Sequence, residues 1–377
     1  MKQNLEDFRV YIRNALSRFV YKAIVRPIFF RIEAETIHNF MVKFGNFLGG
    51  NSLTRNITHF HFSYSNKILE QNILGIRFSN PIGLAAGFDK DGHLTQILPA
   101  VGFGFAEVGS ITGEPCLGNP RPRLWRLVKS KGIVVYYGLK NEGCEKISNR
   151  LKNCRFAIPI GTSIAKTNSP KTVAVETGIA DYVKAYKKFT NIGEFSTINI
   201  SCPNAYGGQP FTDAQRLDRL LTEIEKVPTK KPVFLKMPPD LDKEKVDRII
   251  EVARRHKVAG FICTNLTDNR NNKRIVDHDI NKEGGISGKP VEELANDSVK
   301  YVYQKTKGDF VIVGCGGVFS AEDAYKKIKL GASLVQLITG MIFEGPQLIS
   351  EINYGLVKLL RKDGFTNISE AIGIENN

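Results

Sequence analysis

From residue 4 to 30 the apolar residues Leu5, Phe8, Ile12, Leu16, Phe19, Val20, Ala23 and Ile24 recur every three or four positions, with Arg9, Arg13, Arg18, Lys22 and Arg26 mostly between them. That period predicts an amphipathic helix. Such a helix can lie in a membrane surface or cap a protein core, and spacing alone leaves both open. Pro27, which has no N–H, ends this helix or starts another. A second amphipathic helix is expected over 33–48, with Ile37, Phe40, Met41, Phe44 and Phe47 on its apolar side and Gly49-Gly50-Asn51-Ser52 closing it.

Near residue 72 the period becomes strand-like. A short strand is expected over 73–78 and a buried one over 81–86, the latter ending at Gly87-Phe88-Asp89-Lys90. A helix over 92–101, a strand over 105–111 and a hairpin over 123–137, turning near Lys131-Gly132, follow. Strands over 156–164, 196–202, 233–237, 260–264, 310–314 and 334–338 then alternate with helices near 176–190, 213–226, 243–256, 290–305, 321–330 and 346–361. Eight strand–helix units predict an α/β fold of the closed (β/α)8 TIM-barrel type. The alternative, a doubly wound sheet, more often carries GxGxxG after its first strand, and Gly83-Leu-Ala-Ala-Gly87 lacks that spacing. The expected division is a helical region over 1–70, the barrel over 71–365 and a tail over 366–377.

The charge adds one constraint. With 53 Lys+Arg against 38 Asp+Glu, the net +15 implies an anionic partner such as nucleic acid, anionic lipid or a phosphorylated ligand, or else simply a basic surface. The six cysteines show neither CxxC nor zinc spacing and read as reduced thiols of a cytosol-facing protein. No stretch approaches the ~20 apolar residues that span a bilayer, and no signal-peptide core is expected.

In a barrel, the residues that follow the strands share one rim. Here they are Lys90, Ser110, Ser163, Asn199 with Cys202 and Asn204, Lys236, Thr264 with Asn265, Gly316-Gly317 and Thr339-Gly340. Glycines after the last two strands suit a phosphate. The six histidines fall away from the strand ends, and neither a metal set nor a Ser-His-Asp arrangement is visible. Amides, two lysines and one thiol suit a phosphorylated cofactor that does the hard chemistry while the protein adds a base. Cys202 is a candidate base, its pKa open to lowering by nearby positive charge, or a small residue packing the barrel mouth.

The runs 80–92 (NPIGLAAGFDKDG), 118–126 (GNPRPRLWR), 199–204 (NISCPN), 284–288 (GGISG) and 334–340 (LVQLITG) together resemble the dihydroorotate dehydrogenase family, over about residues 20–360. The resemblance implies a flavin-dependent barrel that oxidises dihydroorotate to orotate in pyrimidine (UMP) synthesis. It implies Cys202 as the base that takes the C5 proton, with Lys90, Asn199, Asn204 and Asn265 holding substrate. FMN would be lined by Ala86, Gly87, Ser110, Ser163, Asn199, Thr264 and Gly288, with Lys236 near its ring and Gly317, Thr339 and Gly340 around its phosphate. The segment 31–38 (RIEAETIH) is similar to the membrane-associated, quinone-reducing branch, in which N-terminal helices form a lid through which quinone reaches the flavin. The implied location is peripheral, on the cytoplasmic face of the cell membrane, against an anionic lipid surface; without quinone it would be cytoplasmic.

Some residues depart from the family pattern. Serine is usual as the base in the quinone-dependent branch, where this chain has Cys202. Val135 stands at an expected asparagine, Leu266 at a threonine, Ser163 at an asparagine and Ile338 at a tyrosine. These changes keep open a related flavin enzyme that uses fumarate or NAD, or acts on another pyrimidine. A tRNA-dihydrouridine synthase would suit the charge, but only about 40 residues follow the last strand, too few for a basic RNA domain, and no nucleic-acid partner is expected. A non-catalytic membrane scaffold would be expected to have lost Lys90, Lys236 or the base.

Overall fold

The computed structural model describes residues 2–376, with side chains from Asp7 to Asn376, so the expected place of Leu5 on the apolar face lies outside the described side chains. Eight parallel strands close into a barrel: Ile82–Leu84, Phe105–Ile111, Ile160–Ile164, Phe195–Asn199, Val233–Met237, Gly260–Cys263, Val311–Cys315 and Leu334–Leu337, neighbouring one another in chain order. The strands are almost wholly buried because helices cover the outer face and side chains fill the inside. Phe78, Phe105, Phe195, Phe234, Ile262, Val313 and Leu334 plug the N-terminal end. Gly83 and Gly161 make room for two of these rings, since an added Cβ would meet Phe105 at 2.4 Å and Phe195 at 2.2 Å. Higher in the barrel, buried Glu107 accepts hydrogen bonds from Thr197 Oγ1 at 2.5 Å and Gln336 Nε2 at 2.9 Å. The filling thus turns from aromatic to polar toward the C-terminal rim.

Several elements differ from the sequence expectation. The strand expected over 73–78 is a hairpin of Gln71–Ile73 and Ile76–Phe78, whose turn residues Leu74 and Gly75 have φ of 55° and 77°. Two positive φ values in succession are what a two-residue hairpin requires. The helix expected over 92–101 is confined to Leu98–Val101, because the buried Asp89 carboxylate takes up His93 N and Leu94 N, each at 2.8 Å. Asn51 does not only close a helix. Its side chain accepts from Thr54 N at 2.9 Å and caps an unanticipated helix, Ser52–Phe62. The hairpin Leu124–Leu127 and Gly132–Val135 gains a third antiparallel strand, Gly285–Gly288.

The N-terminal helix Lys2–Val20 passes through a π turn at Tyr21–Val25 into Arg26–Arg31, with Pro27 in the first turn of that last segment. Its amphipathicity is inverted relative to the barrel. The polar side docks: Arg13 and Asn14 donate to Ser350 Oγ at 2.8 and 3.1 Å, Arg18 pairs with Glu351 at 2.8 Å, Lys22 pairs with Glu344, and Tyr21 donates to Ile342 O at 2.7 Å. The apolar side faces outward, with Phe8 61% and Phe19 67% exposed, and Ile12, Leu16 and Ile24 beside them. Phe40, Phe44 and Phe47 of helix Ala34–Gly49 are exposed as well, and Phe40 packs against Phe29 and Phe44.

Because the bottom plug is a single interlocked set of rings, Phe105→Ala should destabilise the barrel by about 3–5 kcal/mol, read as a lower urea midpoint at unchanged slope.

Candidate functional site

One large cavity opens at the C-terminal rim, enclosing about 1270 Å³ with its mouth included, which is ample for a nucleotide-sized ligand. Its wall brings together Ala86, Gly87, Lys90, Ser110, Asn199, Cys202, Asn204, Lys236, Thr264, Asn265, Gly288, Gly317, Thr339 and Gly340. Ser163 is the exception among the sequence candidates. It stands behind the wall, its Oγ 2.8 Å from Ser110 Oγ, and acts on the cavity by fixing that hydroxyl. Val135, Leu266 and Ile338 line the cavity as well, so part of the wall is apolar.

The amides are positioned by one another. Asn199 Nδ2 donates to Ser110 Oγ at 2.8 Å, while its Oδ1 accepts from Ser201 N at 3.0 Å and Ser201 Oγ at 2.7 Å. Asn265 Nδ2 reaches Ser201 O and Oγ, both at 3.0 Å. Asn204 Nδ2 donates to Val135 O at 2.7 Å and thereby ties the loop after the fourth barrel strand to the antiparallel sheet. The strand ends at Asn199, so Cys202 sits on this tethered loop and not on the ladder.

Burial pushes the Cys202 thiol up to about 11, and Asn204 N–H and the Lys166 ammonium offset this only in part. The sequence expectation that nearby positive charge lowers this thiol is thus corrected: desolvation outweighs the charge. Lys90 moves the other way. Burial, then the neighbouring Lys140 charge, brings it down to about 7. Its Nζ lies 3.7 Å from the Tyr137 ring centroid and 3.1 Å from His38 Nε2.

His38 corrects a second expectation, that every histidine falls away from the site. Helix Ala34–Gly49 carries it to the cavity, where its ring meets Phe88 edge-on at 5.0 Å. Burial, then the charges of Lys90 and Lys140, holds it neutral well below the usual histidine range. Tyr137 and Lys140 were also not singled out from sequence. Only the segment 31–38 hinted at His38, since nothing in the local pattern links a helix to a barrel loop 52 residues later.

The helix is seated by a buried ion cluster. Glu35, 1% exposed, accepts from Arg123 Nη2 at 2.7 Å and Nε at 2.9 Å, with Arg121 at 3.1 Å and Lys140 at 3.7 Å. Burial opposes its charge, but the Arg123 hydrogen bonds and the surrounding cations prevail and hold the carboxyl below its ordinary range.

Two features fit a large anionic cofactor. Lys236 is 3% exposed on the cavity wall, and among the described residues its ammonium has no hydrogen-bond or ion-pair partner in the protein. At the other end Gly317 has φ of +74°, and a Cβ there would meet Glu292 Cβ at 2.3 Å, so only glycine keeps this backbone turned along the cavity. The neighbouring helix Thr339–Glu344 adds first-turn N–H groups that have no intrahelical acceptor.

The sequence profile of the family described as Dihydroorotate dehydrogenase matches residues 68–360. The "Dihydroorotate dehydrogenase (quinone)" of Trichodesmium erythraeum (strain IMS101) is 34% identical over 377 residues, covering 95% of this chain and 99% of its own. Its namesake from Trichormus variabilis is 37% identical, covering 94% and 99%. A crystal structure of DHODH from Eimeria tenella in complex with ferulenol matches at a TM-score of 0.82 and 28% identity, over 91% of this chain and 96% of that one.

With the Cys202 thiol near 11, its alkylation by iodoacetamide, followed by peptide mass spectrometry, should accelerate about tenfold per pH unit from pH 7 to 10 without a plateau.

Proposed function

The chain belongs to the dihydroorotate dehydrogenase family, and on that footing we propose that it oxidises dihydroorotate to orotate and passes the electrons to a membrane quinone. It is an oxidoreductase of pyrimidine biosynthesis with FMN as its cofactor, as in the family at large. The observation that carries the reading is the cavity itself, which joins buried Lys236, without a protein partner among the described residues, to a thiol, three amides and the glycines Gly317 and Gly340.

FMN, when bound, supplies the two-electron acceptor that no side chain here can provide. The residues that would hold it are Ala86, Gly87, Ser110, Asn199, Thr264 and Gly288 around the ring, Lys236 beside it, and Gly317, Thr339 and Gly340 at the phosphate. Cys202 would take the substrate's C5 proton on Sγ. Asn199, Asn204 and Asn265 would fix the pyrimidine edges, and Lys90 would pair with the carboxylate. A carboxylate beside Lys90 favours its ammonium form, which burial alone disfavours. Burial keeps the Cys202 thiol protonated near neutral pH, so Sγ would accept the C5 proton only in its minority thiolate form, and proton removal would speed up as pH rises toward about 11.

Residues 1–70 are proposed as the membrane and quinone-access unit, 71–365 as the FMN barrel and 366–377 as a tail. Supporting this, Phe8, Leu16, Phe19 and Phe47 are exposed apolar side chains of these helices, and Arg9 and Arg31 are exposed cations of the same region. Such a face suits peripheral attachment to anionic lipid on the cytoplasmic side of the cell membrane. Among the described residues no helix is long and apolar enough to cross a membrane. Leu124, Ile133, Phe319 and Ile342 of the cavity wall cluster with Phe30 and offer apolar surface for a quinone head. The anionic partner implied by the +15 charge is therefore assigned to lipid headgroups and not to nucleic acid.

In an anaerobic cuvette, dihydroorotate should bleach the purified yellow protein, and a ubiquinone analogue should restore the colour far faster than fumarate. Cys202→Ala should slow the bleaching by about 10²–10⁴-fold. A flavin that stays oxidised with dihydroorotate would sink the substrate assignment. Separately, the triple variant Phe8→Ser/Leu16→Ser/Phe19→Ser should lose binding to anionic liposomes by more than about 100-fold, at roughly 1.5–3 kcal/mol per side chain, while keeping its rate of flavin reduction by dihydroorotate.

A further inference from the structure

Cys202 lines two hollows. One is the main cavity, and the other is a small pocket of about 250 Å³, its mouth included, that Cys202 shares with Lys166, Tyr182, Ala205 and Gln209. Lys166 follows the third barrel strand, Ile160–Ile164, is 4% exposed, and is absent from the wall of the main cavity. None of the roles assigned above to substrate or cofactor groups uses it.

A buried ammonium needs acceptors for three N–H bonds. Lys166 Nζ donates to Tyr206 O at 2.5 Å, and among the described residues it has no ion-pair partner. The carboxylate whose charge reaches it, Asp181, is committed elsewhere. Asp181 Oδ2 accepts from Thr167 N at 2.6 Å and Gly113 N at 3.3 Å, and Oδ1 accepts from Thr167 Oγ1 at 2.8 Å. Tyr182 OH donates to Asn199 O at 2.7 Å, and Gln209 Nε2 donates to Ser201 O at 3.3 Å. Of the acceptors that remain on side chains of this pocket, Gln209 Oε1 and Cys202 Sγ, only the sulfur can carry a charge.

Holding the loop does not account for Lys166. Tyr206 N donates to Asn168 Oδ1 at 2.7 Å and Asn204 Nδ2 to Val135 O at 2.7 Å, so the same loop is tied without it. The groups around the thiol come from several elements. Burial raises its pKa most, Asn204 N–H and the Lys166 ammonium lower it, and Cys116 and Asp268 raise it. Tyr182 stands by as a neutral phenol, held far above its usual range by burial. Burial pulls Lys166 below the ordinary lysine value, and the charges of Cys202 and Asp181 oppose that pull. Lys166 is thus the principal cation turned toward this sulfur.

We propose that Lys166 is a positioning residue for proton abstraction, its buried ammonium serving as the counter-ion of the Cys202 thiolate from the small pocket. The Cys202 S–H bond breaks with its proton going to water, the electron pair stays on Sγ, and that pair takes the C5 proton, which restores the thiol. Lys166 keeps its own proton throughout. The catalytic meaning of the pairing rests on the proposed reaction, while the pairing itself can be read without substrate.

The test uses the FMN-loaded protein and iodoacetamide, a neutral probe, with modification of Cys202 followed by peptide mass spectrometry. Lys166→Gln removes the charge but keeps an N–H donor, and Lys166→Met removes both. In both variants alkylation between pH 7 and 9 should be about five- to tenfold slower than in the wild type, and Lys166→Arg should stay within about twofold of it. Ala205→Asp, which leaves Lys166 in place and brings a carboxylate into the same pocket, should slow alkylation likewise. A loop that had merely loosened would expose the sulfur and speed the reaction. If Lys166→Gln or Ala205→Asp is alkylated at the wild-type rate or faster, the counter-ion is overturned, even where flavin reduction by dihydroorotate is slower. If alkylation responds as expected and dihydroorotate bleaches the flavin in no form of the protein, the pairing stands and it is the substrate assignment that falls.

Discussion

The buried Glu35 carboxylate is the point on which the architecture around the cavity turns. Its Arg123 partner belongs to the hairpin side of the barrel, and Glu35 itself opens a helix of the N-terminal unit. A carboxylate taken out of water is tolerable only when its charge is matched nearly completely, as Arg123, Arg121 and Lys140 do here. Removing one side would leave a buried charge unpaired. The cluster therefore fixes the helix in one position, and that position places His38 against Lys90.

The barrel supplies a different kind of order. Aromatic rings block its N-terminal end, and the polar filling begins at Glu107, so ligands are confined to the opposite rim. There amides, the Cys202 thiol and Lys90 share the cavity wall with buried Lys236 and with the glycines Gly317 and Gly340.

Much of the barrel was legible because short buried apolar runs alternate with helices of strong period, and strand ends in such a fold share a rim whatever the loops do. The strand Val233–Met237 coincides with its expected limits for that reason. The misreadings are local competitions. Asp89 diverts the backbone that a helix over 92–101 would need, and Leu74-Gly75 folds one expected strand into two. Asn51-Ser52 reads equally as an end and a beginning, and the structure uses it as both.

The sequence by itself determined the fold class, the family and the strand-end residues of the cavity wall, because these depend on periodicity and on motifs that lie within a few residues of each strand end. It also determined that the N-terminal helix is amphipathic, but not which face turns outward. Only the tertiary structure decided that the charged face docks and the apolar face stays free, because Ser350, Glu351 and Glu344 offer partners that lie more than 300 residues away in the chain. It likewise decided that His38 meets Lys90, that Ser163 stands behind Ser110, and that burial raises the Cys202 thiol. Each of these depends on how much water and which charge surround a group, and that is set by neighbours brought together through folding, not by neighbours in sequence.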